Sequence, residues 1–211
     1  KTDGTLWAWG RNWAGQLGQN DKVDKSSPVQ IPGTTWNSVS NDGWVGLATK
    51  TDGTLWSWGY NESGGLGHNN TTYYSSPTQI PGTSWNQVSR SYYCGFATRT
   101  DGTLWSWGKN NEAEAGLLGQ NNQIEYSSPV QIPGTTWSKI SVGRMMMASI
   151  KTDGTLWQWG RNLYGSIGIN NMTNAFYSSP VQVGSDTNWD SVESSAYNTY
   201  ATKKPLTPSQ L

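Results

Sequence analysis

The chain has 211 residues, with 14 basic residues against 14 acidic ones and only 13% charged overall. That length can bury one sizeable core, and the balanced charge leaves neither a basic stripe for nucleic acid nor an acidic tail. The single cysteine, Cys94, excludes an internal disulfide, and no apolar run approaches the ~18 residues of a membrane span. A surface built of Asn, Ser, Thr, Gly and Gln suits an extracellular or virion-exposed β protein.

The chain opens at Lys1 with no Met and no signal-like segment, as a processed product or a piece of a longer protein would. Thr-Asp-Gly-Thr-Leu-Trp-x-Trp-Gly follows at once from Thr2 and returns at Thr51, Thr100 and Thr152. Ser-Ser-Pro returns with it, ending at Pro28, Pro77, Pro129 and Pro180, and so does a later Trp, at positions 36, 85, 137 and 189. Four copies, 1–49, 50–98, 99–150 and 151–203, are followed by a tail, 204–211. A period near fifty residues with Gly and Pro punctuation predicts an all-β fold: a β-propeller in which each copy contributes four short antiparallel strands.

Within a copy, Asp-Gly supplies the positive φ angles of a tight hairpin turn, so Gly46–Lys50 should pair with Thr54–Trp58. Trp7 and Trp9, two apart, face one side of their strand while Leu6 and Ala8 face the other, as expected between packed sheets. Twelve of the 14 tryptophans are three repeat positions taken four times, and core packing between blades is their expected role. The Ser-Ser-Pro segment, bracketed by prolines, predicts an edge strand. The third copy gains residues within Asn111–Gly116 and the fourth lengthens the loop from Ile169 to Tyr177. Insertions confined to one place in each repeat mark one face of the assembly, the expected functional face.

The segment Ala48 to Gly67, with its hairpin, Trp-Gly-x-Asn and Gly-x-Leu-Gly, resembles the repeat of the regulator of chromosome condensation family. The resemblance covers all four copies and implies a propeller, usually of seven blades. It implies no single function, because the family includes a nucleotide exchange factor for a nuclear GTPase, a plant ultraviolet-B photoreceptor and many bacterial and phage surface proteins. Where the family often has His, seven residues before the turn Asp, this chain has Val45, Cys94, Met146 and Asn198. The photoreceptor's light-sensing Gly-Trp-Arg-His-Thr is matched only by Gly43-Trp44. Four copies are fewer than seven. The last strand, Tyr197–Lys203, is expected to close the ring by completing the first blade; the end of a larger propeller, or a ring of two chains, are the other arrangements.

No catalytic set is expected. The one histidine, His68, lies in a variable loop and is expected to be solvated; it cannot alone build a Ser-His-Asp set or a histidine metal site. The turn aspartates are explained by turn chemistry, and Cys94 is expected to be a small buried group. No metal and no cofactor is implied.

What remains is recognition by loops. Trp13, Tyr60, Tyr73, Tyr74, Tyr126, Tyr164, Phe176 and Tyr177 stand there amid small hydrogen-bonding residues, a mixture that buries area at low entropy cost. For Tyr74, Tyr126 and Tyr177, packing beneath the loop is an equal alternative. A second set precedes each hairpin: Trp44, Tyr93, Met145 and Tyr197, with Met145–Met147 as adaptable core or contact surface. The expected function is a non-enzymatic binding or structural propeller on a virion or cell surface. Its expected partners are protein or glycan, not nucleic acid, and it is expected to join a homo- or hetero-oligomeric assembly. The alternative is an intracellular regulator of the exchange-factor type acting on a small GTPase.

Overall fold

The computed structural model describes residues 2–205. Its strands are β1 (Trp7–Gly10), β2 (Lys25–Gln30), β3 (Trp36–Asn41), β4 (Val45–Lys50), β5 (Leu55–Gly59), β6 (Tyr74–Ile80), β7 (Trp85–Ser91), β8 (Cys94–Arg99), β9 (Leu104–Gly108), β10 (Tyr126–Ile132), β11 (Trp137–Val142), β12 (Met146–Lys151), β13 (Leu156–Arg161), β14 (Phe176–Gln182), β15 (Trp189–Ser194) and β16 (Thr199–Lys203). They form three four-stranded sheets, β3–β6, β7–β10 and β11–β14, and two two-stranded sheets, β1–β2 and β15–β16. The sheets do not coincide with the sequence copies. Each complete blade takes the last two strands of one copy and the first two of the next.

The chain falls into two compact units. The first holds the chain up to Thr100 with residues 105–109 and 125–131; the second holds 101–104, 110–124 and the chain from Ile132 onward.

The hairpin register is the expected one, with Gly46 opposite Trp58 and Thr49 opposite Leu55. The turn differs in detail. Positive φ falls on the glycine alone (Gly53, φ 77°), and the Gly53 amide donates to the Lys50 carbonyl at 3.0 Å, so the turn is a four-residue one. The aspartate acts through its side chain instead. Asp52 Oδ1 accepts from the Thr54 amide at 3.0 Å and from the Thr54 hydroxyl at 2.6 Å, and that hydroxyl accepts from Trp56 Nε1 at 2.8 Å. The same relay runs Asp153–Thr155–Trp157. Thr two places after Asp is thereby explained.

The repeated tryptophans build the core. Trp36 of β3 meets Trp56 and Trp58 of β5 edge-on, at 6.3 and 5.8 Å between ring centroids, and Lys50 lies 4.7 and 4.3 Å from the centres of Trp36 and Trp56. The set recurs as Trp85–Trp105–Trp107 with Arg99. In the second unit it is Trp137–Trp157–Trp159 with Lys151. Strand β4 approaches Trp58 so closely that a Cβ at Gly46 would collide with the indole. Ser-Ser-Pro lies on edge strands as expected, at a register shift opposite Trp58.

β1 pairs with β2 in the first unit and β16 with β15 in the second, each pair a two-stranded sheet. Trp9 is 60% exposed, while its counterparts Trp58, Trp107 and Trp159 are 2%, 0% and 0% exposed. Trp107→Ala should therefore lower stability by about 3–5 kcal/mol, and Trp9→Ala by no more than about 0.5 kcal/mol, compared by urea unfolding.

Candidate functional site

Each blade end is shaped by a buried asparagine. Asn61 donates from Nδ2 to the carbonyls of Asn70 (3.0 Å) and Thr72 (2.9 Å) and accepts from the Leu66 amide (2.8 Å). It thus holds both ends of a polar loop that could not form its own ladder. Asn12, Asn110 and Asn162 do the same for the other copies. Sequence reasoning noted this asparagine only as part of a motif; its fixed place after Trp-Gly was the available signal.

On that base five of the expected binding residues gather in the first unit. Trp13 stands edge-on to Trp44 at 5.1 Å and 6.0 Å from Tyr60. Tyr60 also meets Trp44 (5.7 Å), Tyr73 (4.9 Å) and Tyr93 (6.1 Å), and Tyr92 extends the group beyond Tyr93 (5.6 Å). The pairing of β4 with β5 explains part of this, because the Tyr60 amide donates to the Trp44 carbonyl and brings the two loop ends together. Trp13 and Tyr92 are exposed, and the other four are partly buried. Arg11 lies 5.6 Å from the Trp13 ring, Lys22 5.9 Å from Tyr73 and Lys109 5.2 Å from Tyr93.

Glu62 organises the tyrosines. It accepts from the hydroxyls of Tyr60 and, at 2.9 Å, Tyr73. These bonds hold its carboxyl below the usual carboxylate range, that of Tyr60 first. Burial, reinforced by the bond to Glu62, pushes the Tyr60 hydroxyl well above its ordinary value, and Tyr73 shifts the same way. Beneath the patch Asp42 accepts from the amides of Trp44 and Val45 (2.9 and 3.0 Å) and pairs with the buried Arg90, which donates to the Gly65 carbonyl at 2.7 Å.

The other expected residues lie elsewhere. Tyr74 packs beneath its loop, 5.0 Å from His68, and its hydroxyl accepts from Asn70; Tyr177 likewise receives Asn171 at 3.4 Å. Tyr126 is partly buried at the start of its edge strand. In the second unit Tyr164 meets Tyr197 at 6.3 Å, and Phe176 lies under Arg161 at 5.5 Å. Among the described residues no wider aromatic group forms there, because the positions matching Trp44 and Tyr60 are Met145 and Arg161, whose guanidinium approaches the Met145 sulfur. Met145, Met146 and Met147 are buried, as is Cys94.

His68 is not the solvated loop residue expected. Its Nε2 lies 2.9 Å from the Ser57 hydroxyl, and burial lowers its pKa below 6.5, because Tyr74 and strand β5 enclose it.

Residues 3–40, 52–97 and 101–150 match the family described as Regulator of chromosome condensation (RCC1) repeat, together well over half the chain. No curated protein sequence matches. Human WBSCR16 is similar in structure, with a TM-score of 0.83 and 23% identity over 96% of this chain and 54% of that one. Prp20p from Saccharomyces cerevisiae, described for its binding to Gsp1p and histones, gives 0.83 at 14% identity over 98% and 53%. Yeast RCC1 (Prp20) bound to Kap60 gives 0.82 at 15% over 98% and 51%. The chain thus spans about half the length of each.

Two titrations check this geometry. For Tyr60 the folded state favours the neutral phenol, so its contribution to stability is complete below pH 10.0 and is lost as pH rises further. Absorbance at the tyrosinate band should show two tyrosines ionising late, and Glu62→Gln should bring them back toward the ordinary value. For His68 the folded state favours the neutral ring, so stability is complete above pH 6.5 and declines as pH falls through its lowered pKa; its NMR midpoint should lie below 6.5.

Proposed function

Because the chain belongs to the regulator of chromosome condensation repeat family, we propose that it is a non-enzymatic β-propeller that binds a protein through the patch of Trp13, Trp44, Tyr60, Tyr73 and Tyr93. The gathering of loop aromatics at one end of the blades carries this reading. Such patches mark recognition sites when they lie on rigid elements, because indole and phenol rings bury much area while ordering few bonds. Protein is favoured over glycan as the partner, since the rings pack against one another edge to face or tilted and so present a joint apolar surface. A protein-binding role is also described for Prp20p, to which the fold is similar.

The low charge and the Asn, Ser, Thr and Gly surface support display on a cell or virion surface. The alternative, an intracellular regulator of the exchange-factor type acting on a small GTPase, has fold likeness alone behind it.

A photo-cross-linking residue in place of the exposed Tyr92 should trap a protein on intact cells or particles, whereas the same group at Thr83, at the opposite end of strand β7, should not. Trp44→Ala should weaken that capture at least tenfold. Capture confined to lysed cells, with an intracellular GTPase as the trapped protein, would select the regulator instead. Binding to a glycan panel with no cross-linked protein would remove the protein-binding claim.

A further inference from the structure

The partner's chemistry, which rests on the aromatic patch being the binding surface, follows from the charges around it. Tyr60 is the hub of the patch, with Trp13, Trp44, Tyr73 and Tyr93 each set against its ring. Three of these four outer rings have a cation beside them: Arg11 at Trp13, Lys22 at Tyr73 and Lys109 at Tyr93. Repetition places two of the three. Arg11 and Lys109 follow Trp-Gly directly, as Tyr60 does, so the first and third copies put a cation where the second puts the hub. Lys22 comes from the variable loop of the first copy and reaches a tyrosine of the second. An apolar centre thus acquires a basic rim.

The carboxylates of the segments that build the patch do not offset that rim. Asp42 is neutralised by the buried Arg90, and Asp21 by Lys25 at 2.8 Å, with Asn12 Nδ2 donating to Asp21 as well. Glu62 gives its two oxygens to the hydroxyls of Tyr60 and Tyr73, and Asp24 accepts from the Asn12 amide at 2.7 Å. Their oxygens are spent on donors of this chain. The cations differ, because a ring attracts a cation's charge without consuming its N–H donors. Arg11 and Lys22 are exposed and keep N–H groups for a carboxylate from outside.

We propose that the segment bound here is acidic. An apolar side chain seats on the exposed Trp13 and Tyr92, and Asp or Glu residues flanking it meet Arg11, Lys22 and Lys109. Arg11 offers a carboxylate a planar two-donor edge, and the lysines, as rim charges, act chiefly on the rate and salt dependence of association. A basic segment with the same apolar residue meets like charge around the patch and is rejected.

The test needs no identified partner. Random peptides displayed on phage are selected on the immobilised 211-residue chain, with Trp44→Ala as the counter-selection. Enriched peptides should carry an apolar residue flanked by Asp or Glu, and a synthetic peptide of that sequence should bind less tightly as salt is raised. Arg11→Glu combined with Lys22→Glu, both at exposed positions, should stay folded by circular dichroism and bind that peptide about tenfold more weakly or worse. Enriched peptides without acidic residues, or an affinity that the double reversal leaves unchanged, overturn the acidic partner while the patch stands as a binding surface. No enrichment over Trp44→Ala overturns both.

Discussion

Each complete blade is held by an indole that the following copy supplies. A tryptophan at the start of the blade's first strand receives two tryptophans and a cation from strands further along the chain, and the cation sits against two rings at once. In a partly buried site such a contact contributes about 1–2 kcal/mol, and the rings bury far more area than any other side chains present. Because the three tryptophans come from two copies, no copy can form this cluster alone. The requirement accounts for the strict recurrence of the tryptophans, for the glycine that admits Trp58 and for the offset between sequence copies and blades.

The loop that follows each Trp-Gly is the second half of the same device. A buried asparagine closes it at the base, and its backbone reaches the next copy through one carbonyl and one amide. Those anchors leave the loop's crown free to vary in length and composition. Insertions in the third and fourth copies fall there, and so do the aromatic residues of the first two. The patch around Tyr60 is therefore built on a fixed frame: strand pairing sets Trp44 against Tyr60, and Glu62 sets the two tyrosine hydroxyls.

Much of the fold was legible because periodicity and turn chemistry are local. The hairpin register and the edge position of Ser-Ser-Pro follow from spacing alone. The sharing of φ between Asp and Gly was misjudged, since Asp52 acts as a side-chain acceptor and leaves the positive φ to Gly53. The aromatic residue types of the site were legible, but their grouping was not. Trp13, Trp44, Tyr60, Tyr73 and Tyr93 come from two copies and flank three sheets, and only the packing of blades brings them together. His68 was misplaced for a similar reason, because Ser57 lies eleven residues away and reaches it only through the fold.

The same dependence on neighbours explains why the two ends of the described chain differ from its middle. Trp9 and Trp58 share one local sequence, yet one is exposed and the other buried, so burial here is a property of the junction and not of the strand.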